Sequence, residues 1–114
     1  MPTCEIITNV QPADAQALSA KASALVAELL SKPLGYVLAF VTVNPSLTFG
    51  GTDLPAAYVT IGSIGSVGGD KNSPIVAGIT DFVSRELTVR PDRIYVGIHD
   101  IPPADFGHNG RTFA

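Results

Sequence analysis

Charged side chains are scarce in this chain. Aspartate, glutamate, lysine and arginine make up 15% of its 114 residues, whereas about 25% is typical of soluble domains. The formal net charge is only −3, and a mildly acidic chain is not expected to bind nucleic acid or an anionic membrane. Because 46% of the residues are hydrophobic, we expect part of the surface to be covered by other copies of the chain.

Cysteine and histidine are nearly absent. The single cysteine, Cys4, excludes an intrachain disulfide, and with only two histidines the chain has no cluster of the kind that ligates a metal ion. Cys4 lies in a predicted strand, where a buried and unreactive thiol is the default.

Long apolar runs are also missing. The longest, residues 36–43, suits a buried strand and is far shorter than the roughly 20 residues of a membrane span. The N-terminal residues lack the positive segment and apolar run of a secretory signal peptide. These observations predict a cytoplasmic protein without a membrane span, folded as one domain over residues 1–114.

The pattern that is present is strand, helix, strand, followed by the same order again. Strands are predicted at residues 3–8, 36–43, 57–61 and 94–98, and the first helix at residues 13–31 with Pro12 at its start. The second helix is predicted to begin at Ser73-Pro74. The core stripe of the first helix comprises Leu18, Ala22, Leu25 and Leu29, widened by Val26 and Leu30. The second presents Ile75, Ile79, Phe82, Val83 and Leu87.

The two halves of the chain resemble each other. Lys32-Pro33 ends the first helix before a strand, and Arg90-Pro91 does the same for the second. Two βαβ units predict an α+β fold, an α/β sandwich with a four-stranded mixed sheet and both helices on one face. The other face would be bare and apolar, so self-association with cyclic symmetry is expected.

The dipeptide Met1-Pro2 carries a chemical possibility. Methionine before a small residue is normally removed, which would leave Pro2 with a free secondary amine. An apolar pocket and a neighbouring cation would lower the pKa of that amine, and a neutral amine can act as a general base. If Met1 stays, the Pro2 nitrogen is an amide and has no basicity.

Six sequence features, in order along the whole chain, resemble the macrophage migration inhibitory factor (MIF) family of the tautomerase superfamily. They are Met1-Pro2 with Thr8-Asn9-Val10, Lys32-Pro33 with Tyr36-Val37, Phe49-Gly50-Gly51-Thr52 with Pro55-Ala56, Ser63-Ile64-Gly65, residues 91–95, and the ending with Gly107, Asn109-Gly110 and Thr112-Phe113.

The resemblance implies a homotrimer with a pocket at each subunit boundary. It implies keto–enol tautomerisation of phenylpyruvate-like 2-oxo acids, and possible activity on dopachrome, with Pro2 as the base and no cofactor. Lys32 and the backbone of Ile64 would hold the substrate carboxylate. The resemblance further assigns Tyr95 of a neighbour to the ring end of the pocket, and Tyr36 and Phe106 to its walls.

Several of these residues have a purely structural alternative. Lys32 could be a solvated cation that stabilises a helix end, and Tyr36 and Tyr95 could simply fill a core. The glycine-rich residues 62–69 lack the Gly-Lys-Ser/Thr ending of a nucleotide-binding loop, which excludes that interpretation.

The chain departs from the family pattern at three places. Ala56 and Val59 stand where many relatives have a Cys-x-x-Cys, so thiol chemistry there is excluded. Gly97 stands where the human type has asparagine, which predicts weaker discrimination for a para-hydroxyl group on the substrate. Phe106 and His108 replace an aliphatic residue and a tryptophan, which predicts a pocket mouth of different shape.

Two other functions remain open. One is a MIF-like cytokine or interaction protein, secreted without a signal peptide, whose receptor-binding role makes the pocket vestigial or regulatory. The other is hydration or decarboxylation by the same proline, which in related proteins depends on arginines in the pocket. The arginines here are Arg85, Arg90, Arg93 and Arg111, and none of them has a predicted place there.

Overall fold

Four long strands and two helices make up most of the protein in a computed structural model that describes residues 1–114. The strands are β1 (Thr3–Thr8), β2 (Leu38–Val43), β3 (Ala57–Ser63), β4 (Ile94–Asp100), β5 (Gly107–His108) and β6 (Arg111–Thr112), and the helices are α1 (Ala15–Leu30) and α2 (Asn72–Leu87). Neither helix has the length and apolar character needed to cross a membrane.

The sheet joins the two halves of the chain. Its strand order is β2-β1-β3-β4. Strands β1 and β2 are parallel, as are β3 and β4, whereas β1 and β3 pair antiparallel with Thr3 opposite Gly62 and Thr8 opposite Ala57. Each half is therefore a βαβ unit, and the predicted mixed sheet with pseudo-symmetric halves is confirmed.

The core lies between the sheet and the two helices, which contact each other on the same face. It is apolar: Cys4, Ile6, Val59 and Ile61 from the central strands are at most 1% exposed. The helices bury Leu18, Ala22, Val26, Leu30, Ile75, Ile79, Val83 and Leu87. All six residues of the predicted stripe of α1 belong to or pack against the core, with Val26 and Leu30 buried and Leu25 and Leu29 half-buried. Phe82 of α2 is likewise half-buried.

The helix ends differ from the predicted ones. Helix α1 begins after Asp14, whose carboxylate accepts a hydrogen bond from the Ala17 N–H at 3.0 Å, so Pro12 precedes the cap. Helix α2 begins at Asn72, one residue before the predicted start, and Lys71 caps it without a side-chain bond. The Asp14 side chain thus decides where α1 begins, whereas no side-chain cap marks the start of α2. The prolines indicated only the approximate position of each helix start.

Both helices end in the same way. Ser31 and Thr88 adopt left-handed conformations, with φ of 53° and 54°, and their N–H groups bond to carbonyls of the last turn. The chain then becomes extended before a short 3₁₀ turn, residues Leu34–Tyr36 in the first half and Pro91–Arg93 in the second. Strand β2 therefore starts at Leu38 and not at Tyr36 as predicted. Strands β3 and β4 each run two residues beyond the predicted ends.

The face of the sheet away from the helices is bare. Leu38 and Phe40 of β2 are 57% and 40% exposed, and Tyr58 and Tyr95 are 44% and 66% exposed. Strand β2 was predicted to be covered on both faces, but its alternate residues are exposed in a single protomer. An uncovered apolar face of this kind is typical of a surface that binds another chain.

The Asp14 cap can be tested directly. We expect Asp14→Ala to lower the free energy of unfolding by about 1 kcal/mol, because the N–H groups of the first turn lose their acceptor. Asp14→Ser should retain most of the stability. Asp81→Ala is the control, since Asp81 forms an exposed ion pair with Arg85 at 2.8 Å and such pairs contribute little. Urea unfolding measures all three, and an equal loss for Asp14→Ala and Asp81→Ala would contradict the assignment.

Candidate active site

Pro2 lies at the start of β1 and its side chain is less than 2% exposed. Its carbonyl oxygen accepts a hydrogen bond from the Leu38 N–H at 3.1 Å, which ties the N-terminal end of the chain to β2. The parallel pairing of β1 and β2 thus determines where the first residues lie. This placement makes Pro2 part of a wall and not a free end.

A cleft of about 270 Å³ opens over Pro2. Three segments line it: residues 1–3, residues 35–38 after α1, and residues 106–108 of the tail together with Phe113. Tyr36 and Phe106, which the resemblance assigned to the pocket, are thereby brought to Pro2. His108 and Phe113 are also lining residues, although the sequence gave no site role to Phe113.

The tail reaches the cleft as an ordered hairpin. Strands β5 and β6 pair antiparallel around Asn109 and Gly110, both of which have positive φ. The ring centroids of Phe113 and Phe106 lie 6.0 Å apart. The His108 ring stacks on the Phe113 ring, with 6.2 Å between their centroids. The Phe113 N–H donates to the carbonyls of Pro103 and Phe106, each at 3.1 Å. These contacts build one side of the cleft from aromatic rings.

Lys32 and Ile64, the two residues to which the resemblance assigned the substrate carboxylate, lie close together. Lys32 follows the left-handed cap of α1, is half-buried, and donates from Nζ to the Ile64 carbonyl oxygen at 3.1 Å. Ile64 directly follows β3, and the next residue, Gly65, has a φ of +70° and donates its N–H to the Asp100 carboxylate at 3.1 Å. The turn after β3 therefore receives the lysine that leaves α1.

The electrostatics at the N-terminal end favour a neutral amine. Desolvation, and secondarily the positive charge of Lys32, lowers the pKa of the Met1 α-amino group below its ordinary value. Removal of Met1 would place the amino group on Pro2, one residue or about 3.8 Å further along the chain. The cation that lowers this pKa is the same Lys32 that bonds to Ile64.

The other nucleophilic and titratable candidates are not arranged for chemistry. Burial, with a smaller effect of the Glu5 carboxylate, raises the pKa of the Cys4 thiol to about 12, so the predicted inert thiol is confirmed. His99 is exposed near the end of β4. No three histidine, cysteine, aspartate or glutamate side chains lie close enough together to hold a metal ion.

Tyr95 lies far from Pro2 within one protomer. It pairs with Tyr58 on β3, four residues from the Gly62 that pairs with Thr3. Tyr95 is therefore separated from Thr3, the residue after Pro2, by about 13 Å along the strands and about 10 Å across them. The Tyr95 ring instead contacts Phe49 at 4.8 Å between centroids, so Tyr95 cannot line the cleft of its own subunit.

Arg93 holds the loop that carries Phe49. Its guanidinium donates to the carbonyl oxygens of Pro55 at 2.9 Å, Leu54 at 3.0 Å, Phe49 at 3.1 Å and Thr52 at 3.4 Å. The guanidinium carbon also lies 5.2 Å from the centre of the Phe49 ring. All of these contacts are within the protein, so Arg93 is not available as a ligand-binding arginine.

Asn9, the residue directly after β1, supports the same loop. Its amide nitrogen donates to the carbonyls of Leu47, Asp53 and Leu54, and its amide oxygen accepts from the Ala56 N–H at 2.9 Å. The sequence showed Asn9 and Arg93 only as parts of motifs. Their role depends on a loop that is distant in sequence from both, which no local pattern reveals.

Comparisons with known proteins agree with this fold. Residues 1–114 match the family model for macrophage migration inhibitory factor (MIF). A MIF homolog of Trichuris trichiura is 35% identical over 114 residues, with 99% of this chain and 100% of the relative covered. The MIF of Xenopus tropicalis is 30% identical over 115 residues, and both chains are covered completely.

Solved structures give the same result. The crystal structure of a MIF homologue from Prochlorococcus marinus has a TM-score of 0.93 at 34% identity, with 98% of this chain and 99% of the other covered. The MIF structure from Trichinella spiralis has a TM-score of 0.92 at 32% identity, with 97% and 99% covered.

These structures share the tautomerase-superfamily fold, and the fold class predicted from the sequence is confirmed. The chain belongs to the macrophage migration inhibitory factor family. Family membership supports a function of the MIF-like cytokine or tautomerase-superfamily class, and isomerase activity in general terms.

The loop contacts of Arg93 lead to a test. We expect Arg93→Lys to lower the free energy of unfolding by about 1–3 kcal/mol, since an ammonium cannot reproduce a planar fork of charged hydrogen bonds. The amides of Phe49 and Thr52, which bond to each other's carbonyls, should exchange hydrogen faster. Arg90→Lys is the matched control, because Arg90 makes only an exposed ion pair with Asp92. Unchanged exchange at Phe49 and Thr52 would show that Arg93 does not hold the loop.

Proposed function

We propose that this protein is a cofactor-free keto–enol tautomerase that acts on phenylpyruvate-like 2-oxo acids, with Pro2 as its general base once Met1 has been removed. The observation that carries the proposal is the arrangement at the N-terminal end. Pro2 forms the buried floor of an aromatic cleft, and desolvation, with a smaller effect of the Lys32 charge, lowers the pKa of the Met1 α-amino group there. Dopachrome is a second substrate that the same chemistry would admit.

The reaction requires only one proton to move. The Pro2 nitrogen takes the proton from the enol hydroxyl oxygen, the carbonyl forms as the carbon–carbon double bond opens, and the same proton is delivered to the adjacent carbon. A single base that reaches both atoms is sufficient. Tyr36 and Phe106 would hold the substrate ring and keep water from the reacting atoms.

Lys32 would bind the substrate carboxylate. An ammonium has three donors, and one of them already points to the Ile64 carbonyl oxygen at 3.1 Å. Lys32 and Ile64 do not line the cleft of the single protomer. The two other donors would be available to a substrate carboxylate, to which a charge-assisted hydrogen bond is strong. The backbone of Ile64 would fix both the lysine and the carboxylate end of the substrate.

The assembly we propose is a homotrimer. The bare face with Leu38, Phe40, Tyr58 and Tyr95 supports association, since apolar side chains on it lack a cover in one protomer. Tyr95 lies too far from the Pro2 of its own chain, so it can complete a cleft only on a neighbouring subunit. Cyclic symmetry would place Tyr95 of one subunit at the cleft of the next at every subunit boundary.

A MIF-like cytokine or interaction protein is the second candidate. The names of the relatives, which are macrophage migration inhibitory factors from animals, favour it, and receptor binding would then use the surface and leave the cleft regulatory. A cytoplasmic location, or secretion without a signal peptide, belongs to the same proposals. Binding to a receptor should survive Pro2→Ala, whereas catalysis should not.

The role of Pro2 as the base can be tested by mutation. On a sample whose intact mass shows Met1 removed, we expect phenylpyruvate ketonisation, and we expect Pro2→Ala to lower kcat/KM by about 10²–10⁴-fold. The matched control is the same chain with Met1 retained, in which the Pro2 nitrogen is an amide and turnover should be lost. Full activity of the Met1-retaining chain would rule out Pro2 as the base.

The effect of Lys32 on Pro2 should appear in the pH dependence of kcat/KM. A base acts in its neutral form, so a lowered pKa keeps Pro2 active at lower pH. We expect Lys32→Met to remove one cause of that lowering and to move the acid limb of the kcat/KM profile to higher pH. Lys21→Met is the control, because Lys21 pairs with Glu86 at 2.9 Å on the helices. An acid limb that does not move in Lys32→Met would exclude this electrostatic role.

A further inference from the structure

A second recess lies on the bare face of the sheet. Its volume is about 220 Å³, and it is lined by residues 47–50 of the loop together with Ala57, Tyr58 and Tyr95. Five of its seven lining residues are hydrophobic. Tyr58 and Tyr95 are two of these five, and each adds a hydroxyl group to an otherwise apolar side chain.

Tyr58 leans over Gly97. A Cβ built on Gly97 would lie 3.5 Å from the Tyr58 Oη, 3.9 Å from its Cε1, and 3.8 Å from the His99 Nε2. Gly97 is in the middle of β4 and does not have a positive φ, so the backbone conformation does not require glycine there. What the missing side chain provides is space, and the Tyr58 phenol occupies it.

The two phenols stand side by side. Tyr58 and Tyr95 are Cα partners on the parallel strands β3 and β4, so their side chains leave the same face. Gly97 lies two residues beyond Tyr95, about 7 Å along the strand. The Tyr58 hydroxyl is thus displaced from Tyr95 toward Gly97.

We infer that Tyr58 is a specificity-determining residue that favours 2-oxo acids with a para-hydroxyl on the aromatic ring. The inference rests on the proposed function, in which Tyr95 of one subunit meets the ring end of a substrate bound in the cleft of the next. The Tyr58 hydroxyl lies beside that position and can both donate and accept a hydrogen bond. A substrate phenol would pair with it.

This inference replaces the expectation based on Gly97 alone. From the sequence, glycine at this position predicted weaker discrimination, because it carries no side chain to reach the ring end. The structure places the hydroxyl of another residue over that glycine. A substrate without the para-hydroxyl would leave this hydroxyl without that partner, and a site that hydrogen-bonds a substrate hydroxyl rejects the analogue that lacks it.

The test compares two substrates and several variants of the full chain with Met1 removed. We expect the wild type to favour 4-hydroxyphenylpyruvate over phenylpyruvate by roughly fivefold in kcat/KM, the value of one hydrogen bond. Tyr58→Phe should abolish this ratio through KM for the hydroxylated substrate. A ratio that persists in Tyr58→Phe would overturn the inference.

Three further variants separate the hydroxyl from its surroundings. Gly97→Ala adds a methyl group at ordinary contact distance from Tyr58, so the substrate ratio should persist. Gly97→Val suits a strand but crowds the phenol, and it should abolish the ratio although Tyr58 is intact. If Tyr95→Phe alone abolished the ratio, the selectivity would belong to Tyr95 and the inference would be wrong.

A binding measurement keeps this test independent of catalysis. Calorimetry would compare 3-(4-hydroxyphenyl)propanoate with 3-phenylpropanoate, neither of which can tautomerise. We expect the hydroxylated acid to bind roughly fivefold more tightly to the wild type and equally well to Tyr58→Phe. Absence of turnover together with this binding ratio would refute the tautomerase proposal and retain Tyr58 as the selective residue. If the enzyme turned over but neither the kcat/KM ratio nor the binding ratio changed in Tyr58→Phe, the tautomerase proposal would stand and the inference about Tyr58 would be refuted.

Discussion

The antiparallel pairing of β1 with β3 is the constraint on which the rest of the structure depends. It joins two βαβ units that would otherwise be separate two-stranded halves. Because Thr3 lies opposite Gly62, the start of the chain and the turn at Ile64 come to the same end of the sheet. Lys32, which leaves α1 near that end, can then bond to the Ile64 carbonyl oxygen. The register thus brings together groups from three distant parts of the sequence.

The same register separates two chemically different ends of the sheet. Pro2, Lys32 and the aromatic tail lie at one end, whereas Tyr58, Tyr95 and Phe49 lie at the other. Arg93 and Asn9 devote their side chains to the loop that carries Phe49, so the second end is as firmly built as the first. The aromatic recess therefore lies at the end of the sheet opposite Pro2.

The pseudo-symmetry of the halves applies to the backbone and not to the chemistry. Ser31 and Thr88 end their helices with nearly the same dihedral angles, and similar 3₁₀ turns follow. Yet α1 is followed by Lys32, whose charge acts on the N-terminal amino group, whereas α2 is followed by Arg90, which pairs with Asp92 at the surface. Caps and turns obey local geometry and therefore recur, whereas the function of a side chain depends on what lies across from it.

The amino-acid sequence by itself determined the order of the elements, the two βαβ units and the family. Hydrophobic periodicity and proline positions are local signals, so they predicted which segments form helices and strands, though not the cap at Asp14 or the start of β2 at Leu38. The tertiary structure alone decided that Phe113 joins the cleft, that Arg93 holds the Phe49 loop, and that the Tyr58 hydroxyl lies over Gly97. Each of these depends on strand register and on contacts between residues far apart in the chain, and no local pattern encodes such distances.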